Sequence, residues 1–220
     1  MNNKFTAFIA ITSLFLSFQS KAFDSSSVEM NAKGKALYQN CVSCHGQNGE
    51  GNESLQSPAI AGQYNWYLNK QINNFSQELR GAHEQDKLGA QMFPIVRTLS
   101  SKEEISVLSD YIQSLPVIKA NISKKGNLGN GSRYYQGKCG ACHGGTGQGN
   151  KSFNAPKLTG LSEKYLLRQM SNFSKGIRGY KAEDKLGRQM AMMAKTTSGQ
   201  ELDDIVFYIL SQENSPVTNK

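Results

Sequence analysis

Two Cys-x-x-Cys-His pentapeptides, Cys41-Val42-Ser43-Cys44-His45 and Cys139-Gly140-Ala141-Cys142-His143, stand 98 positions apart and use all 4 cysteines of the 220-residue chain. Two thiols at this spacing, followed at once by an imidazole, form the attachment pattern of c-type haem. The thiols add across the porphyrin vinyl groups, and the histidine becomes the proximal iron ligand. Zinc is one competing reading. It pairs Cys41 and Cys44 with Cys139 and Cys142 across a very long loop and leaves His45 and His143 without a role. A redox dithiol wants a βαβ context, which is absent, and a structural disulfide does not explain the same pentapeptide twice. The sequence predicts two covalently bound haem c groups, with His45 and His143 as axial ligands.

The elements that position these residues come in two copies. A shift of 98 places Gly49 and Gly51 on Gly147 and Gly149, Pro58 on Pro156, and Gly62 on Gly160. It also places Tyr67-Leu68 on Tyr165-Leu166, Gln71 on Gln169, and Asn74-Phe75-Ser76 on Asn172-Phe173-Ser174. Arg80-Gly81 repeats as Arg178-Gly179, Asp86-Lys87-Leu88-Gly89 as Asp184-Lys185-Leu186-Gly187, and Gln91-Met92 as Gln189-Met190. Each half therefore carries one haem domain: 23–118, then a linker 119–130, then 131–220.

Apolar periodicity predicts helices in both halves. One runs from Gly34 to Asn40 into the first pentapeptide, and one from Tyr64 to Leu79. A third begins at a Ser100-x-x-Glu103 capping box, buries Ile105, Leu108, Ile112 and Leu115, and stops at Pro116. Ser198-x-x-Glu201 repeats that start in the second half. Strand alternation is absent, so the fold class is all-α. The copies differ at one point. Gly34 and Tyr38 precede Cys41 by 7 and 3 residues, whereas Gly131 and Tyr135 precede Cys139 by 8 and 4.

The sixth iron ligand separates an electron carrier from an enzyme, because an open iron binds small molecules and a closed one mainly moves electrons. Of the 3 histidines, His83 is matched by Lys181 and cannot serve both halves. Met92 and Met190 each lie 47 residues after a pentapeptide histidine, in matching Leu-Gly-x-Gln-Met segments, and are the predicted distal ligands. Met170, Met192 and Met193 are expected to pack in the core. Trp66, Phe75 and Phe173 are expected to pack against haem or core. Arg80 and Arg178, paired by the repeat, are candidate propionate contacts, with an exposed surface role as the alternative.

Residues 1–22 have the plan of a secretory signal: Lys4, an apolar stretch from Phe5 to Phe18, then Ser20-Lys21-Ala22. The stretch is short for a membrane span, with an uncleaved anchor as the alternative. An exported protein of the periplasm is the expectation, with peripheral membrane association open.

These features together resemble the dihaem cytochrome c₄ family over roughly residues 28–212. The resemblance implies two class I cytochrome c domains related by an approximate twofold axis. It implies a periplasmic carrier, not an enzyme, between a quinol-oxidising complex and a terminal oxidase or reductase. It also implies that the carbonyls of Pro58 and Pro156, each 13 residues after its histidine, accept the histidine Nδ1–H. The cytochrome subunit of flavocytochrome c sulfide dehydrogenase has a similar plan, and a dihaem peroxidase is the enzyme alternative. Glu50 and Glu53, in a Gly-rich loop, supply no repeated acid–base cluster.

The formal charge of +8 is uneven. Residues 23–118 hold 7 Lys and Arg against 10 Asp and Glu, net −3, while 119–220 hold 16 against 7, net +9. The basic residues between 151 and 195 point to docking of the second domain on an acidic redox partner, against a merely solvated face. Nucleic acid is not expected as a partner.

Overall fold

The computed structural model describes residues 25–123 and 125–212. The predicted signal segment 1–22 lies outside them. Among the described residues every regular element is helical, and backbone pairing of the β kind is limited to two isolated bridges, Asn52 with Ser57 and Asn150 with Ala155. Each bridge closes a small loop at the same place in its half.

The first half contains α1 (Ser25–His45), α2 (Asn65–Ser76), α3 (Lys87–Ala90), α4 (Met92–Val96) and α5 (Lys102–Ser114). The second contains α6 (Leu128–Tyr135), a π-turn over Gln136–Gly140, α7 (Ala141–His143), a 3₁₀ turn over Lys151–Phe153, α8 (Glu163–Ser174), α9 (Lys185–Ala194) and α10 (Gly199–Ser211). In each half the first helix crosses the last. The first core gathers Tyr38, Leu68, Ile72, Phe75, Val96, Leu108 and Ile112. The second gathers Tyr135, Leu166, Ile205, Val206, Tyr208, Ile209 and Leu210. Burial of these faces holds otherwise short helices in place, since isolated helices of this length are marginal in water.

The first–last crossing is close because of two glycines. A Cβ on Gly34 would meet Val107 O at 2.9 Å, and one on Gly131 would run into the backbone carbonyl of Asp204. One turn later, Tyr38 and Tyr135 are fully buried and donate their hydroxyls to Gly46 O and Gly144 O, each at 2.7 Å. Glycine and tyrosine thus fill the same places in both halves despite the extra residue in the second. The π-turn accommodates that residue: a wider turn takes up one more residue without rotating what precedes or follows it.

Several helix limits differ from the sequence expectation. α1 runs through the whole pentapeptide. α2 stops at Ser76, three residues short of Leu79, because Glu78 adopts a positive φ of 57° and the amides of Leu79 and Arg80 turn back to Asn74 O. The cap of α5 is shifted by one residue: Ser101 accepts from Glu104 N at 3.1 Å, and Glu104 accepts from the amide and hydroxyl of Ser100. Ser198 starts α10 without a side-chain cap bond, and the Glu201 carboxylate pairs with Lys138.

Candidate haem centres

Each pentapeptide closes a helix, and the chain then leaves through a glycine at positive φ, Gly46 at 83° or Gly144 at 80°. This sharp exit lets the following loop fold back over the histidine. Gly51 N bonds to His45 O at 2.8 Å and Gly149 N to His143 O at 2.7 Å. Glu50 has a loop-binding role, its carboxylate accepting from Asn48 N at 2.7 Å; Gln148 takes the same place against Thr146 N.

The folded-back loops bring Pro58 O to 2.8 Å from His45 Nδ1 and Pro156 O to 2.9 Å from His143 Nδ1. A carbonyl can only accept, so Nδ1 carries the proton and Nε2 keeps its lone pair for a metal. Both rings are buried, and burial pulls their pKa below the ordinary histidine value, favouring the neutral imidazole an iron ligand requires. The four thiols are unbridged. The donor set in each half is the one that c-type haem takes.

The methionine segments are placed by the repeated Asp-Lys-Leu-Gly motif. Asp86 and Asp184 are buried caps whose Oδ1 atoms accept from Gly89 N and Gly187 N, each at 3.0 Å. These caps start α3 and α9. Gly81 and Gly179, at positive φ, pack directly on the backbone of Gly89 and Gly187, where a Cβ would not fit. Arg-Gly and Asp-Lys-Leu-Gly are therefore the two sides of one close contact. Met92 opens α4 and Met190 lies within α9.

One continuous crevice runs through both halves. Cys41, Cys44, His45 and Met92 line it on one side, and Cys139, Cys142, His143 and Met190 on the other. Trp66, Phe75 and Phe173 are among its walls. Where the halves meet, it is lined by Tyr67, Gln71, Arg80, Tyr165, Gln169 and Arg178.

Arg80 and Arg178 are 9% and 8% exposed, which overturns the surface alternative. Their guanidiniums lie over Phe75 and Phe173, 4.6 and 4.4 Å from the ring centroids. Arg80 donates to Gln71 Oε1 at 2.8 Å and to Tyr165 OH at 2.9 Å in the other half. Arg178 donates to Gln169 Oε1 at 2.7 Å, to Gln71 Oε1 at 2.9 Å and to Tyr67 OH at 3.3 Å. Among the described residues neither forms an ion pair. Gln71, Gln169, Tyr67 and Tyr165 carry no functional role in the sequence reading. Their signal is there nonetheless: polar residues repeated on a helix face otherwise made of Leu68, Ile72 and Phe75.

A second cross-half contact has no copy in the repeat. Buried Gln63 donates to Lys157 O at 2.9 Å and accepts from Lys157 N at 3.2 Å, while Lys157 Nζ reaches Gly62 O at 2.9 Å. Tyr64 OH donates to Gln148 O at 2.9 Å. The basic residues of 151–195 thus divide. Lys157, Lys164, Arg168 and Arg178 bond to the first half, whereas Lys151, Lys175, Lys185, Arg188 and Lys195 are exposed and Lys181 is half-buried over the Tyr180 ring. Met192 and Met193 depart from expectation as well: they are 65% and 38% exposed, not core.

The cytochrome c family model matches residues 31–116 and 128–213, one match for each half. The chain belongs to the cytochrome c family. It is 28% identical over 181 residues to cytochrome c-552 of Acidithiobacillus ferridurans, covering 78% of this chain and 73% of that protein. It is 26% identical over 212 residues to the thiosulfate dehydrogenase electron acceptor of Stutzerimonas stutzeri, covering 90% of each. Reduced cytochrome c₄ from Pseudomonas stutzeri superposes with a TM-score of 0.65 at 26% identity, over 82% of this chain and 97% of that one. The chain is a c₄-like dihaem cytochrome with two tandem all-α domains, carrying two covalent haem c groups on Cys41/Cys44 and Cys139/Cys142. It is an electron-transfer protein by that kinship.

Proposed function

We propose that this dihaem cytochrome is an exported, periplasmic electron carrier with both irons closed by His/Met pairs, His45 with Met92 and His143 with Met190. When bound, the haem supplies a one-electron ferrous/ferric couple; the polypeptide fixes its ligands, its surroundings and its route to partners. The observation that carries this reading is that Met92 and Met190 each line the same crevice as their half's histidine. Met/His ligation gives a low-spin iron of relatively high potential. Pro58 and Pro156 hold the histidine rings through their carbonyls. Arg80 and Arg178 are assigned to the haem propionates: two buried cations bonded only to neutral groups call for anions, and haem brings them. The signal-like segment 1–22 and the extracytoplasmic attachment of haem c support the periplasm.

The partners in this reading are a quinol-oxidising complex as donor and a terminal oxidase or reductase as acceptor. A second reading keeps the carrier and changes the donor to a sulfur-compound dehydrogenase. It is favoured by the 90% mutual coverage with a protein described as a thiosulfate dehydrogenase electron acceptor. A peroxidase would need one iron open, against the matched methionines.

The visible spectrum of the ferrous protein with carbon monoxide tests the ligation. The wild type is expected to be unchanged, and Met92→Ala and Met190→Ala are each expected to admit the gas at one haem. Ready binding by the wild type would overturn the closed-iron reading and bring the enzyme forward.

A further inference from the structure

Pro156 O and the Lys157 N–H belong to one peptide unit, and each end of that unit has a partner. His143 Nδ1 donates to Pro156 O at 2.9 Å. At the other end, Lys157 N donates at 3.2 Å to Oε1 of Gln63, a residue of the first half. Gln63 closes the pair by donating its Nε2 to Lys157 O at 2.9 Å, and it is only 6% exposed. Its Oε1 also accepts from Tyr64 N at 3.1 Å, which fixes the side-chain amide. The peptide unit is held from behind by Gly149, where a Cβ would meet Lys157 N at 2.7 Å and Pro156 C at 2.9 Å. A hydrogen-bond chain thus runs from the first half, through one peptide unit, to the proximal histidine of the second.

The first half receives no matching chain. The repeat puts Ala59 in the place of Lys157 and Leu161 in the place of Gln63, and a leucine side chain offers no acceptor. The second half does reach the first half's loop, but elsewhere. Arg168 donates to Gln56 O at 2.7 Å and Lys164 to Glu53 Oε2 at 2.9 Å. Both contacts are exposed, and both fall before the Pro58–Ala59 peptide unit whose carbonyl serves His45.

We infer that Gln63 is a positioning residue by which the first half tunes the potential of the second haem, a role that rests on the carrier reading's ligation of iron by His143. A peptide whose N–H is engaged has a more polarised carbonyl, and each bond in such a chain strengthens the next by about 10–30%. A stronger acceptor at Nδ1–H makes the imidazole a more basic ligand, and hydrogen bonding around an iron ligand is one lever on its potential. A more basic ligand favours ferric over ferrous iron, because it stabilises the more highly charged ion. Gln63 therefore holds the second potential below the value that Pro156 alone would set. The tuning runs one way, since Leu161 returns nothing to His45.

An NMR-monitored redox titration of the holoprotein, following the ferric haem methyl signals, reads each midpoint separately. Gln63→Met keeps the length of the side chain and loses its hydrogen bonds. It should favour reduction of the second haem by about threefold, about 30 mV at about 59 mV per tenfold for one electron, and leave the first haem unmoved. In the ferrous protein the His143 Nδ1–H proton should move upfield while that of His45 stays in place. Gln63→Glu keeps an acceptor for Lys157 N and loses the donor, so the second midpoint should stay at the wild-type value or fall below it. Tyr64→Phe removes the neighbouring cross-half bond to Gln148 O without touching the peptide unit, and should move neither midpoint. Equal shifts at both haems, an unmoved second haem in Gln63→Met, or a rise in Gln63→Glu would each overturn the proposal. So would a matching rise in Tyr64→Phe, which would trace the effect to a loosened seam. Carbon monoxide added to the ferrous wild type separates the two ideas: a spectral response overturns the closed-iron reading, while the midpoints and imidazole signals decide the role of Gln63.

Discussion

Arg80 and Arg178 carry positive charge into the seam between the halves, where each donates to glutamine and to a tyrosine of the other half rather than to a carboxylate. Removing such a donor leaves buried acceptors without a partner, and that desolvation cost exceeds the net value of the lost bonds. Arg80→Leu is therefore expected to lower the stability of the holoprotein by about 2–3 kcal/mol in denaturant unfolding. Arg97, whose pairing with Glu78 is exposed, gives the contrast: Arg97→Leu should cost no more than about 0.5 kcal/mol. Equal small losses would mean that the seam arginines contribute no more than surface charges. Both arginines are visible in the sequence as a repeated pair, but burial was not, because a 3.6-residue period places a residue on a face without saying what covers that face.

At the scale of elements, the crossing of first and last helices is set by glycine and the extra residue is taken up by a π-turn. Gly131→Ala would drive a methyl into the Asp204 carbonyl, and backbone cannot swing aside as a side chain can. A loss of about 3 kcal/mol or more is expected, with the second haem domain unfolding first. Gly137 lies in the π-turn, is exposed and has nothing within 4 Å of its Cβ position. Gly137→Ala should stabilise by about 0.5–1 kcal/mol, since it removes unfolded-chain freedom without a clash. Thermal unfolding of the two variants separates these outcomes, and a destabilising Gly137→Ala would show that the π-turn is strained. The Ser101 cap on α5 teaches a related point. Ser100 and Ser101 are followed by Glu103 and Glu104, so two capping boxes are available and side-chain spacing alone does not choose between them.

Across the whole molecule, the halves are alike in plan and unlike in how they grip each other. Gln63 and Tyr64 hold Lys157 and Gln148 on one side of the seam, while the repeat puts Leu161 and Ser162 in their places on the other. The arginine network, by contrast, is reciprocal: Arg80 bonds to Tyr165 and Arg178 to Tyr67. If the one-sided grip couples the halves, wild-type unfolding should be a single transition and Gln63→Ala/Tyr64→Phe should split it into two, one per haem domain. Absorbance of each haem band against denaturant reads this directly. A single transition in the variant would place the coupling in the arginine network instead.

Much of this protein follows from local pattern. Five consecutive residues specify haem attachment, and a self-match at 98 positions specifies two domains and pairs their methionines, prolines and arginines. The chemistry is readable because covalent attachment and proximal ligation use residues adjacent in sequence. Tertiary structure decided what depends on distant segments meeting: the proline carbonyls against the histidines, and the arginines sealed between halves by tyrosines about a hundred positions away. It also decided that Met192 faces outward while Met190 lines the crevice, although the two carry the same side chain. A methionine's role depends on whether its helix face meets a crevice or water, and that is fixed by packing rather than by residue type.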